Sequence, residues 1–363
     1  MCTPSGGVTW EETVTTTSEN AALAQPRSQY QAQALWKRAL KRPEIGALSG
    51  AILVFIFFWA IAPPFRQFPA FTTVLYQSAT IGIPAVGVAL LMIGGEFDLS
   101  AGVAVTTSSL AASMFATQVA GSLWVGVVFA LFFSLAIGAL NGWLLIRTKL
   151  HSFLVTLGTF LMLQGLNIAI TKLITGNVAT QDISGMAGFN TLQIIFASNF
   201  MIGRTQISIA IVYWLLLAAI ATWVLLRTKI GNWIFAVGGE ADSSRAVGVP
   251  VRRVKVGLFM VVGFGCWFLA MHLLFAYNTV QSGAGIGNEL LYIAASVVGG
   301  CLLTGGYGSA VGSALGAFIF GMSTEGVIYA DWDPDWFQFF VGAMLLLATV
   351  VNTWIRVRAM RGK

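Results

Sequence analysis

Glu96 and Asp98 stand in the stretch IGGEFDLSAG, Ile93 to Gly102, between two apolar runs of a chain that is 57% hydrophobic and only 9% charged. Charge so close to hydrocarbon must face water, a partner or a cavity. Asp98 reads first as a cap for the helix that follows, its carboxylate accepting from the free amides near Ser100 to Gly102; Glu96 is less constrained, and both could serve a transport path. Gly94 and Gly95 precede them and break the first apolar run. A second stretch, VGGCLLTGGYGSAVGSALGA from Val298 to Ala317, has the same build. An apolar helix ends in Gly299 and Gly300, a glycine-rich segment follows, and a small-residue helix begins. Gly94 and Gly299 are 205 residues apart, which predicts two structural repeats, each with a broken helix of the kind that puts unwound backbone beside a translocation path.

Two polar stripes add candidates. Thr106, Ser109, Ser113 and Thr117 share one helical face, as do Gln164, Asn167 and Thr171. Serine and threonine faces serve helix packing at least as readily as they line a pore. The larger amides of Gln164 and Asn167 need partners, so these two are the better path residues. Glu289 and Glu325 are further acids at the edges of apolar runs.

Enzyme chemistry finds little purchase. There is no phosphate-binding glycine loop followed by lysine, no H-E-x-x-H and no G-x-S-x-G, and His151 and His272 stand alone. The three cysteines, Cys2, Cys266 and Cys301, are too scattered for a disulfide framework or a metal cluster. No cofactor and no metal is expected of this chain, and no hydrolysis of ATP by it alone.

The elements that must hold these residues are membrane helices. A mean hydropathy of +0.80 over 363 residues, with 26 Phe, places the chain in a bilayer. Apolar runs centred near residues 55, 85, 111, 135, 163, 216, 265, 295, 317 and 345 predict about ten transmembrane helices in an all-α polytopic fold with two glycine-broken half repeats. The net charge of +6 does not point to nucleic acid, because the basic residues flank apolar runs in short clusters. With the amino terminus inside, 17 of the 20 Lys and Arg fall on inner segments, leaving only Arg66, Lys172 and Arg204 outside. That bias sets both termini in the cytoplasm. Residues 1–45, rich in Ser, Thr, Glu and Gln, are expected to be a disordered cytoplasmic tail. Residues 46–356 form the transmembrane domain, and 357–363 a second cytoplasmic tail.

One inner segment, 227–255, is long and polar enough to do work. Within it Gly238 and Gly239 release a short helix, Glu240 and Asp242 place negative charge in its first turn, and Arg245 comes near its end. Gly248 and Pro250 stop it within about two turns. So short a helix is marginal alone; a partner groove must hold it, with Ala241 and Ala246 allowing close approach.

Four motifs in this order, GGEFDLSAG, TLGTFLMLQGLN from Thr156, RTKIGNWIFAVGGEADSSRAVGVPVRRVK from Arg227 and VGGCLLTGGYGSAVGSALGA, resemble the ribose and xylose type of ABC-transporter permease. The resemblance runs from about Gly46 to Arg356. It implies a bacterial inner-membrane subunit that pairs with a second permease copy or homologue, with an ABC ATPase that binds the ATP, and with an extracytoplasmic solute-binding protein. It also implies that the 227–255 loop meets the ATPase. A monosaccharide is the expected solute, ahead of nucleosides and polyols. Two other readings stay open: a proton-coupled secondary transporter using Glu96, Asp98 or Glu325, and a scaffold or receptor working through its outer loop.

Overall fold

The computed structural model describes residues 43–361, Arg204 excepted; most of the tail expected over 1–45 lies outside them. Helices occupy the ten predicted positions: α1 (Pro43–Ile61), α2 (Phe68–Ile93), α3 (Ala101–Phe115), α4 (Leu123–Thr148), α5 (Ser152–Thr175), α7 (Ile209–Arg227), α10 (Val251–Tyr277), α11 (Asn288–Val298), α12 (Ala310–Tyr329) and α13 (Trp336–Arg361). The connections add α6 (Phe189–Ala197), an antiparallel pair β1 (Asn199–Ile202) and β2 (Thr205–Ser208), α8 (Lys229–Gly239) and α9 (Ala241–Ala246). Among the described residues, eight helices are long and apolar enough to cross a membrane. Two helices are outside that set: α13, whose described apolar stretch is Trp336–Val350, and the shorter α11. Its 11 residues rise only about 16 Å at about 1.5 Å per residue, roughly half the hydrocarbon thickness.

Burial sorts the helices into a centre and a ring. The apolar windows of α2 and α10 are 78% and 72% buried, whereas those of α1 and α5 are 17% and 28% buried. Small residues let the central helices touch. Ser134 Oγ on α4 donates to the Gly263 carbonyl on α10 at 2.8 Å, and a Cβ at Gly142 would come within 2.8 Å of the Val256 Cα. Without a hydrophobic drive between helices in lipid, such close backbone approach and interhelical hydrogen bonds carry the packing.

Capping sets the boundaries. Ser208, Thr228 and Ser309 accept from the amides of Ala210, Gly231 and Gly312 at 3.3, 3.2 and 3.3 Å, opening α7, α8 and α12. The Ser309 cap restarts the chain after the second glycine break.

Candidate functional site

The two glycine breaks end their helices with one hydrogen-bond pattern. At the end of α2, Gly94, Gly95 and Glu96 donate to the carbonyls of Leu90, Met92 and Leu91 at 3.1, 2.9 and 3.2 Å. At the end of α11, Gly299, Gly300 and Cys301 donate to Ala295, Val297 and Ser296, each at 2.9 Å. Every donor and acceptor is displaced by the same 205 residues. This is a Schellman ending, which needs a left-handed residue just past the helix; Gly95 and Gly300 supply it with φ of 85° and 94°. The chain is therefore built on a repeated break.

The breaks also meet in space. The Gly306 amide, in the loop after α11, donates to the last carbonyl of α2, that of Ile93, at 2.8 Å. Gly238, near the end of α8, packs into the same point: a Cβ there would overlap the Ile93 carbonyl oxygen and lie 2.6 Å from the Gly306 nitrogen. A Cβ at Gly305 would come within 2.6 Å of the Gly95 Cα. Three chain segments thus cross with no side chain between them. Gly238 does more than release the following helix, and what precedes that helix is not a membrane span but the separate α8.

Beyond this junction lies α9, six residues long. Glu240 stands at its N-cap in extended geometry, and its carbonyl accepts from Ser244 Oγ at 2.8 Å. Arg245 Nη1 donates to Asp242 Oδ1 at 3.1 Å in an exposed pair, which contributes little stability. Only Ser244 is buried; Asp242, Arg245, Ala246 and Gly248 are exposed, Ala241 is half-buried, and Gly248 closes the turn at φ 89°. Val247, which the sequence reading passed over, is 81% exposed. A polar helix marks itself by charge and glycine; one valine beside it does not.

Ala241, Asp242 and Arg245 border a cleft of about 1200 Å³ whose wall also holds Gly95, Glu96 and Lys255. Glu96 is ion-paired to Lys255 Nζ. Asp98 is buried, and its Oδ1 accepts from the Ser100 amide at 2.8 Å and the Ser100 hydroxyl at 2.6 Å. The network continues through Asn141 Nδ2, which donates to Ser100 Oγ at 3.0 Å, to Thr159, which donates to Asn141 Oδ1 at 2.6 Å. Burial raises the Asp98 carboxyl above its ordinary value, opposed by the Ser100 hydrogen bonds.

The other path candidates separate. Asn167 is buried; it accepts from Thr107 Oγ1 at 3.0 Å and donates to the Val103 carbonyl at 3.5 Å, joining α5 to α3. Gln164, one turn away, is half-buried and makes no hydrogen bond to a described residue. Ser109 on the first stripe donates to the Ala270 carbonyl at 3.0 Å and serves helix packing. Glu289 accepts from the Gly287 amide at 3.1 Å. Glu325 is half-buried near the far end of α12.

At the opposite end of α2 is a polar cavity that no stripe predicted. About 380 Å³ in volume, it is lined by Thr73, Tyr76, Gln193, Asn199, Gln206 and His272, among others. His272 Nδ1 donates to the Phe196 carbonyl at 2.8 Å, so Nε2 accepts from the Tyr76 hydroxyl at 3.2 Å. Its residues come from α2, α6, the β-hairpin and α10, and are isolated from one another along the chain. Only the fold gathers them.

Membrane-length helices, two matched breaks tied to an exposed helix at one end, and a polar cavity at the other define a membrane permease. A family described as a branched-chain amino acid transport system permease component matches residues 70–349. The chain belongs to this family of ABC-importer permeases. It is 31% identical to the fructose import permease of Rhizobium meliloti over 80% of each chain. It is 29% identical to the ribose import permease of Escherichia coli K12, covering 80% of this chain and 87% of the relative. The xylose transport permease of the same organism is 28% identical, over 86% of this chain and 92% of the relative. No solved structure matches the chain significantly. Membership makes it the membrane-spanning transport subunit of an ATP-driven importer rather than an enzyme, and implies partnership with an ATPase and a binding protein.

Proposed function

We propose that this subunit forms the path for a monosaccharide, handed over by an extracytoplasmic binding protein at the α6 and β-hairpin end and driven by an ATPase docked on α9. The observation that carries the reading is the polar cavity at the amino-terminal end of α2. Hydroxyls, amides and one imidazole around about 380 Å³ match a small solute that offers many hydroxyls and no charge. The relatives named for fructose, ribose and xylose import support the same solute class.

In this reading both termini lie in the cytoplasm of a bacterial cell, the permease works with a second copy or homologue, and ATP binds the partner rather than this chain, which needs no cofactor. The exposed face of α9, with Arg245 and Val247, enters the ATPase groove. The glycine junction passes movement of α9 to the ends of α2 and α11.

A proton-coupled mechanism through Glu96, Asp98 and Glu325 is disfavoured by placement. Glu96 and Asp98 sit at the α9 end, whereas Glu325 lies 15 residues into α12 near its other end. The test is uptake by proteoliposomes. The assembled complex with binding protein should import sugar on ATP, while the chain alone under a proton gradient should import none; proton-driven uptake by the chain alone would overturn the reading.

A further inference from the structure

Four cations crowd one rim at the α9 end of the bundle. Arg147 and Lys149 close α4, Arg252 and Arg253 open α10, and all four line a groove of about 590 Å³ between those helices. Among the described residues the carboxylate ion pairs are Arg245 with Asp242 and Lys255 with Glu96; none of these four cations has one. Like charges gathered without a counterion repel, and both arginines present planar forks suited to phosphate oxygens.

What lies beneath the cations is apolar. The groove floor is Trp143, Ile146, Val256, Gly257 and Met260. On the other flank of α10 is a crevice of about 560 Å³ between α2, α7, α8 and α10, lined by Leu217, Ile220, Val224, Trp233 and Phe264 among others. Arg253 and Gly257 border both cavities. A Cβ at Gly257 would meet no atom within 4 Å, so the saddle between the two is open.

We propose that this saddle is a binding site for an acidic glycerophospholipid, its phosphate held by Arg252 and Arg253 with Arg147 and Lys149, and one acyl chain in each apolar cavity on either side of α10. A basic pocket between membrane helices at headgroup level is the setting in which acidic headgroups are recognised. Two chains diverging from one head fit two apolar clefts diverging from one cationic rim. A soluble phosphate would use the rim and leave both clefts empty. Because α10 packs on α2 and is separated from α9 by only the four residues 247–250, an occupied site braces the helix that carries Lys255 and the cleft beside α9.

The test uses the full transporter, permease with its ATPase, purified from membranes and examined by native mass spectrometry while detergent strips lipid. Phosphatidylglycerol is the probe, with phosphatidylcholine and soluble glycerol phosphate as comparison arms. The wild type should retain phosphatidylglycerol at least about tenfold longer than phosphatidylcholine, and glycerol phosphate should not displace it. Two variants should each lose that retention: the double change Arg252→Gln with Arg253→Gln, which removes the head contacts, and Gly257→Leu, which projects a side chain into the open saddle from a Cβ that meets no neighbour within 4 Å. Retention unchanged in Gly257→Leu but lost in the charge variant would mean diffuse attraction to headgroups, and the site would be wrong. Displacement by glycerol phosphate would reduce it to a phosphate site. Loss of the ATPase from both variants with lipid retention intact would assign the cations to a protein interface and overturn the proposal.

Discussion

At the scale of single residues, backbone contact and buried hydrogen bonds carry more than charge does. Gly238 and Gly239 are neighbours of one type with opposite surroundings: a Cβ at Gly238 would overlap the Ile93 carbonyl, and one at Gly239 would meet nothing within 4 Å. Gly238→Ala should therefore cut ATP-driven uptake by at least about tenfold with the subunit still inserted and the ATPase still bound, because the three-way crossing must open. Gly239→Ala should stay within about twofold of wild type. Equal uptake by the two variants would remove the junction from the mechanism. Asp98 offers a second contrast. Asp98→Asn keeps an oxygen for the Ser100 amide and hydroxyl, whereas Asp98→Ala strands both in a buried site, a loss of about 1–3 kcal/mol. Thermal unfolding of the solubilised subunit should show a lower midpoint for Ala than for Asn. If Asn is as unstable as Ala, the carboxylate charge, not its acceptor geometry, holds the break.

At the scale of elements, what was legible in the sequence was whatever leaves a local mark. Glycine pairs inside apolar runs announced both breaks, and the spacing of Gly94 and Gly299 anticipated the shared hydrogen-bond pattern. Glu240, Asp242, Arg245 and Gly248 outlined α9 to within a residue or two. The polar cavity was illegible because Tyr76, Gln193, Gln206 and His272 are single polar residues in separate apolar or mixed segments. Nor could a helical period separate Asn167, which reaches Thr107, from Gln164, since period fixes a face and not what the face meets. For α9 itself the geometry sharpens the expected coupling defect. Gly248 has φ 89° and donates to the Arg245 carbonyl at 3.1 Å; proline fixes φ near −65° and has no N–H, so Gly248→Pro should misplace α9. Asparagine tolerates the left-handed region, so Gly248→Asn should retain most function. Binding-protein stimulation of the ATPase is the readout: Gly248→Pro should lose it, as should Ala241→Glu at the cleft edge. Stimulation at the wild-type level in both would mean that α9 is not where the ATPase engages.

At the scale of the whole molecule, the distribution of charge and the two ends of α2 tie the proposed transport direction to one orientation. The polar cavity and the glycine junction lie at opposite ends of a 26-residue helix, about 39 Å long at about 1.5 Å per residue, so each end meets a different side of a bilayer. In the proposed topology, which follows the 17 to 3 partition of Lys and Arg, the junction lies inside. Single cysteines read this directly, provided that each site is accessible and the background is silent. Cys266 and Cys301 are buried, and Cys2 is removed as Cys2→Ser. Ser184 and Asp333 are exposed on connections assigned to the outside; on α9, Ser244 is buried but Ser243 is exposed, so Ser243 is the residue to replace. Ser184→Cys and Asp333→Cys should react with a membrane-impermeant thiol reagent in intact cells, and Ser243→Cys only after the membrane is opened. Asp333 is the more demanding position, because the chain passes through the half-length α11 and then α12 to reach it. If α11 turned back on its own side instead of leading inward, α12 would run in the opposite sense and Asp333→Cys would be shielded while Ser184→Cys still reacted. Labelling of Ser243→Cys in intact cells would invert the whole chain and place the ATPase site on the wrong face.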